Sequence, residues 1–120
     1  MHDTWDAVER LVAWLDEKSA APADTAPLLR VLKIVEEAGE VAEAVHGVYG
    51  SNPRKGKSHT WDDVQAELCD VILTGMVALR TLTPHADKTF TEHVGRITDR
   101  SLGTRPPRGS GRRRRGFTID

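Results

Sequence analysis

The residues best placed to do chemistry are carboxylates, and they fall in two short runs, Glu36-Glu37-Ala38-Gly39-Glu40 and Glu67-Leu68-Cys69-Asp70. Within each run two acids stand three positions apart, Glu37 with Glu40 and Glu67 with Asp70. That spacing projects both from one side of a helix, one turn apart. Like charges so placed oppose helix formation unless a cation neutralises them. Two such helices side by side would bring together four hard oxygen donors, which suit Mg²⁺ or Mn²⁺ better than a softer metal. The second run weighs more. From Ala66 to Leu79 the chain is apolar or small except at Glu67, Asp70 and Thr74. A helix hydrophobic all round is expected to be buried, and a buried carboxylate takes up a proton or sits against a cation. Taken alone, Glu36 to Glu43 reads instead as a solvated acidic face.

Other polar residues surround these runs. Lys33 stands one turn before Glu37 and faces the acids, so it either pairs with Glu37 or contacts a phosphate. His46 closes a Glu43-x-x-His46 element of the kind that carboxylate-bridged di-iron bundles use twice. Here it occurs once, so His46 reads as a residue of the helix end. Cys69 reads as a small buried filler. Trp5, Trp14 and Trp61 are candidates to stack on a base, although tryptophan more often serves a core or an interface.

The elements that must hold these residues are helices. Val8, Leu11, Val12 and Leu15 give helical spacing from about Trp5 to Lys18, with Asp3 or Thr4 to cap it. A second helix is expected from about Ala26 to Val48, with Val31, Ile34, Val35, Ala38, Val41, Ala42 and Val45 on its apolar face and Glu36, Glu37, Glu40 and Glu43 opposite. Gly47 and Gly50 end it. The polar loop Ser51 to His59 carries three cations, Arg54, Lys55 and Lys57. Thr60 and Asp63 resemble a capping box for a third helix reaching about Leu82. Pro84 opens a fourth, from His85 or Ala86 to Ser101, with Phe90, Val94 and Ile97 on one side. No strand-like alternation of useful length occurs. The expected architecture is all-α, a four-helix type of bundle.

Charge divides the chain unevenly. Residues 1–103 hold 11 Lys and Arg against 17 Asp and Glu, whereas 104–120 hold six arginines, Arg105, Arg108 and Arg112 to Arg115, against Asp120. We therefore expect one helical domain over 1–103 and a basic, disordered segment over 104–120. A single cysteine allows no internal disulfide and fits a reducing compartment. The start Met1-His2-Asp3-Thr4-Trp5-Asp6 lacks the pattern of a signal peptide, and the apolar run Val71 to Leu79 is too short to span a membrane. The expected location is the cytoplasm. Broad apolar faces on a small chain point to a homodimer or higher homo-oligomer.

The two runs together resemble the MazG-like members of the all-α nucleoside triphosphate pyrophosphohydrolases. That family carries Glu-Glu-x-x-Glu, a gap, then Glu-x-x-Asp, and here 26 residues separate Glu40 from Glu67. The resemblance covers about residues 28–102. It implies a bundle completed by oligomerisation and Mg²⁺-dependent hydrolysis of a nucleoside triphosphate to monophosphate and pyrophosphate, with Mn²⁺ as a substitute, in the service of cleaning the nucleotide pool. By motif, Glu37, Glu40, Glu67 and Asp70 are the metal ligands. Glu36 orients a ligand or activates the attacking water. Cations for the phosphates are to be sought in Lys33, Arg54, Lys55, Lys57, Arg96 and Arg100.

Two other readings compete. Within the same fold, the enzyme could be dedicated to one nucleotide, such as a dUTP-like or phosphoribosyl-ATP-like substrate. Outside it, the chain could be a non-catalytic helical module that binds a partner or a nucleic acid through its arginine-rich segment, by salt-sensitive phosphate contacts.

Overall fold

A computed structural model describes residues 3–103; the arginine-rich segment expected to be disordered lies outside the described residues. Four helices follow in order, α1 (Thr4–Lys18), α2 (Ala26–Tyr49), α3 (Trp61–Leu82) and α4 (Ala86–Leu102), and the described residues contain no strand. No described helix is long and apolar enough to cross a membrane. The chain divides at Pro84 into two compact units, the first holding α1 to α3 and the second α4.

Local chemistry sets the helix ends. The Asp3 carboxylate accepts the Trp5 amide at 3.0 Å and caps α1. Pro27 sits in the first turn of α2, where its missing N–H costs nothing. At the start of α3 the capping box is complete: Asp63 N–H donates to Thr60 Oγ1 at 3.3 Å, and Thr60 N–H donates to Asp63 Oδ2 at 2.8 Å. These bonds from Thr60 hold the Asp63 carboxyl below the usual carboxylate range. Gly50, at φ 66°, ends α2 in the left-handed conformation that glycine adopts most readily. Gly47 does not end the helix. It is buried inside α2, its carbonyl accepts the amides of Ser58 and His59, and a side chain there would overlap the His59 ring.

In the first unit α2 and α3 form an antiparallel hairpin. Arg30 meets Thr81 at one end, and Tyr49 meets Trp61 edge to face at the other. Arg30, Ile34, Glu37, Val41, Ala44 and Val48 follow one another at steps of four and three and are buried or half-buried. On α3 the matching series is Val64, Glu67, Val71, Thr74, Ala78 and Thr81. These are heptad seams of the kind that let two helices interlock along their length. α1 covers the end of α3 through Val8 and Val12 against Val77, flanked by Trp5, Leu15 and Met76.

The seam corrects the expected faces. Glu37 lies on the buried side of α2 and not opposite it, while Val31, Val35, Ala38 and Ala42 are exposed. α3 is not buried all round, since it leaves Leu68, Ile72 and Leu82 open. Cys69 is exposed rather than a core filler, because its position is turned away from the seam. In the second unit α4 has the expected amphipathic spacing, with Phe90, Val94 and Ile97 at steps of four and three.

Candidate metal centre

The hairpin brings the two acidic runs together because both lie where the seams of α2 and α3 meet solvent. One carboxylate oxygen from each of Glu37, Glu67 and Asp70 lies within 4.8 Å of the others. Glu37 comes from α2 and the other two from α3, so only the pairing of the helices creates the cluster. Glu40, expected as a fourth ligand, stands beside these three and not among them: hydrogen bonding to Glu37 and the charge of Glu37, followed by desolvation and by Glu67, raise its carboxyl above the ordinary glutamate range. Neighbouring carboxylates resist being charged together, which is why a like charge beside Glu40 acts in this direction.

Depth differs sharply between adjacent acids. The Glu37 side chain is 13% exposed and that of Glu36 is 74% exposed, so Glu37 points into the seam and Glu36 into solvent. Glu67 carries the clearest sign of a missing counterpart, because its Oε2 is buried without a hydrogen-bond partner. Such an atom costs about 1–3 kcal/mol or more for a charged group. The donor set is all oxygen, it comes from rigid helices, and one of its atoms lacks a partner. These features fit a hard divalent cation held by Glu37, Glu67 and Asp70 with Glu40 adjoining.

Positive charge near the cluster comes from Lys33. Its Nζ lies 3.4 Å from Glu37 Oε1 and 3.9 Å from Glu36 Oε2. In the loop Lys55 is 3.6 Å from Glu43, and Arg54 and Lys57 are exposed. Thus the structure places Lys33 at the carboxylates and joins Lys55 to an acid outside the cluster. Arg96 and Arg100 are exposed on α4, in the second unit. His46 is held at the end of α2, its Nδ1 2.7 Å from Ser51 Oγ, and it is not among the clustered ligands.

A largely apolar cavity of about 310 Å³ opens between α1, α2 and α3, lined by Leu11, Trp14, Leu29, Lys33, Leu73 and Thr74 among others. Lys33 stands both on its wall and at the carboxylates. Of the three tryptophans, Trp14 lines this cavity, Trp5 packs against the core and Trp61 contacts Tyr49. Sequence reasoning missed Arg30. It is 9% exposed, pairs with Asp16 at 2.8 Å and donates to Thr81 Oγ1 at 3.1 Å, tying α1, α2 and α3 together beside the cavity. Its signal was present: Arg30, Ile34 and Glu37 already step along the heptad. No protein-family model, curated protein or solved structure matches this chain.

Proposed function

We propose that the chain is a metal-dependent nucleoside triphosphate pyrophosphohydrolase of the MazG-like, all-α kind, which yields a nucleoside monophosphate and pyrophosphate. The observation that carries this reading is the convergence of Glu37, Glu67 and Asp70 within 4.8 Å, with an unpartnered buried oxygen on Glu67. An acidic cluster repels a triphosphate, so a phosphate substrate requires cations between the two. Mg²⁺, or Mn²⁺ in its place, would neutralise the carboxylates, draw in the phosphates and offset charge on the leaving group.

The remaining work falls to the chain. Glu37, Glu67, Asp70 and Glu40 fix the position of that charge on two helices. Glu36, exposed and left over from ligation, accepts the proton of the attacking water. Water adds to phosphorus, the bond to the bridging anhydride oxygen breaks, and pyrophosphate departs. The apolar cavity takes the base, with Trp14 as its aromatic surface. Lys33 lines this cavity and also reaches Glu37, so a nucleotide with its base in the cavity would run its sugar and phosphates towards the carboxylates.

Self-association belongs to the same proposal. Leu28, Leu32, Val35 and Tyr49 on α2 and Leu68 and Ile72 on α3 are all exposed large apolar residues, more than a chain of this size leaves in water without a partner. A homodimer or larger homo-oligomer would cover them.

The deciding experiment is ³¹P NMR of products from a panel of canonical and modified ribo- and deoxyribonucleoside triphosphates, with and without Mg²⁺. Monophosphate and pyrophosphate appearing only with metal support the proposal, and a sharp preference for one base narrows it to a dedicated enzyme. Diphosphate and orthophosphate would refute the bond assignment. No turnover across the panel would refute the enzyme and leave a binding module.

A further inference from the structure

Lys33 occupies an unusual position. Its ammonium group touches the least exposed carboxylate of α2 at 3.4 Å, while its side chain, 57% exposed, also forms part of the cavity wall. A helix gains little from this pair, because an acid preceding a base by four positions is the favourable order and here the base comes first. The ammonium end of the pair stays open to water, and an ion pair with one partner so exposed is easily broken. The lysine stem rotates freely and carries three donors, so the group can change partners without moving the helix. In the described structure it is the ammonium group paired with a member of the carboxylate cluster.

We propose that Lys33 is a displaceable counter-ion, which holds Glu37 in the free protein and passes to a phosphate oxygen of the nucleotide once Glu37 is engaged by a divalent cation. This rests on the metal-binding reading of the cluster and extends it. Before loading, Lys33 screens Glu37 and competes with the cation. After loading, the cation's charge repels the ammonium group, and the phosphates of a nucleotide seated in the cavity receive it. The exchange couples the two ligands, so each binds more tightly in the presence of the other.

The test is binding, not turnover. Mn²⁺ affinity is measured by electron paramagnetic resonance for the wild type, Lys33→Met, Lys33→Arg and Lys18→Met. The last removes an equal charge from α1, where Lys18 pairs with Glu17 and not with the cluster. Affinity for an α,β-imido nucleoside triphosphate is then measured at saturating Mn²⁺. Without nucleotide, Lys33→Met should bind Mn²⁺ about three- to tenfold more tightly than wild type, while Lys33→Arg and Lys18→Met stay near wild type. With Mn²⁺ present, Lys33→Met should bind the nucleotide about tenfold more weakly. Unchanged or weaker Mn²⁺ binding by Lys33→Met, beside a wild type that binds Mn²⁺ well, overturns the exchange alone. A wild type that binds no Mn²⁺ overturns the metal reading and the exchange with it.

Discussion

Replacing Glu67 by glutamine should make the metal-free protein more stable, the reverse of what removing a buried polar contact usually does. Three carboxylates crowd within 4.8 Å, and the buried Glu67 oxygen has no donor. At that separation one pair of like charges costs about 1 kcal/mol at the dielectric of water and about 3.5 kcal/mol at an effective value near 20. Glu67 faces both Glu37 and Asp70, while Lys33 already screens part of the charge on Glu37. A net gain of about 1–2 kcal/mol is expected, which for a domain of this size raises Tm by about 5–10 °C. Glutamine keeps the volume and offers an N–H₂ to the neighbouring carboxylates. Millimolar Mg²⁺ should reverse the order, because wild type gains about 2.7 kcal/mol at a hundredfold excess over Kd and the variant gains little. Thermal denaturation of both proteins, in chelator and in Mg²⁺, reads out both signs. A metal-free Tm several degrees below wild type would show that Glu67 is a structural acid and would refute the cage.

Other consequences are open to measurement. Because the Glu40 carboxyl is raised, the folded state holds that proton more tightly than the unfolded chain. Its contribution to stability is complete below about pH 4.5 and is lost as pH rises through the folded value. Metal-free Tm should therefore decline on its account above that pH while Mn²⁺ affinity climbs, and Glu40→Gln should flatten the decline. A decline unchanged in the variant would assign it to another group. Asp16→Ala should destabilise the chain by about 2–3 kcal/mol, since it leaves the buried Arg30 guanidinium with Thr81 as its remaining side-chain partner. Arg30→Met should cost less in urea denaturation, because the Asp16 that remains is 62% exposed and stays hydrated. If the ranking were reversed, the Arg30 stem and not its charge would be what holds the helices. Val35→Glu and Ile72→Glu, at sites 70% and 62% exposed, should lower the mass found by light scattering without unfolding the chain. An unchanged mass in both would place the self-association surface elsewhere.

Much of this molecule could be read before any tertiary contact was known. Helix ends follow from local chemistry, so Asp3, the Thr60–Asp63 box and Gly50 mark them in any context. The two acidic runs likewise show which residues could gather, because spacing by three fixes their side of a helix. What a single helix cannot show is which of its faces meets another. α2 has apolar residues on more than one side, and the burial of Glu37 rather than Val35 depends on the heptad register it shares with α3. The same pairing separates the buried Glu37 from the exposed Glu36 and turns Cys69 outward, and the cavity formed with α1 puts Lys33 and Trp14 on one wall. It also explains Gly47, which periodicity reads as a stop and packing uses to admit His59. Local spacing and capping are enough to set the helices and to mark the acids on them. Which acids share a site and which face stays open follow from the docking of one helix on another, because those outcomes depend on contacts between residues far apart in the chain.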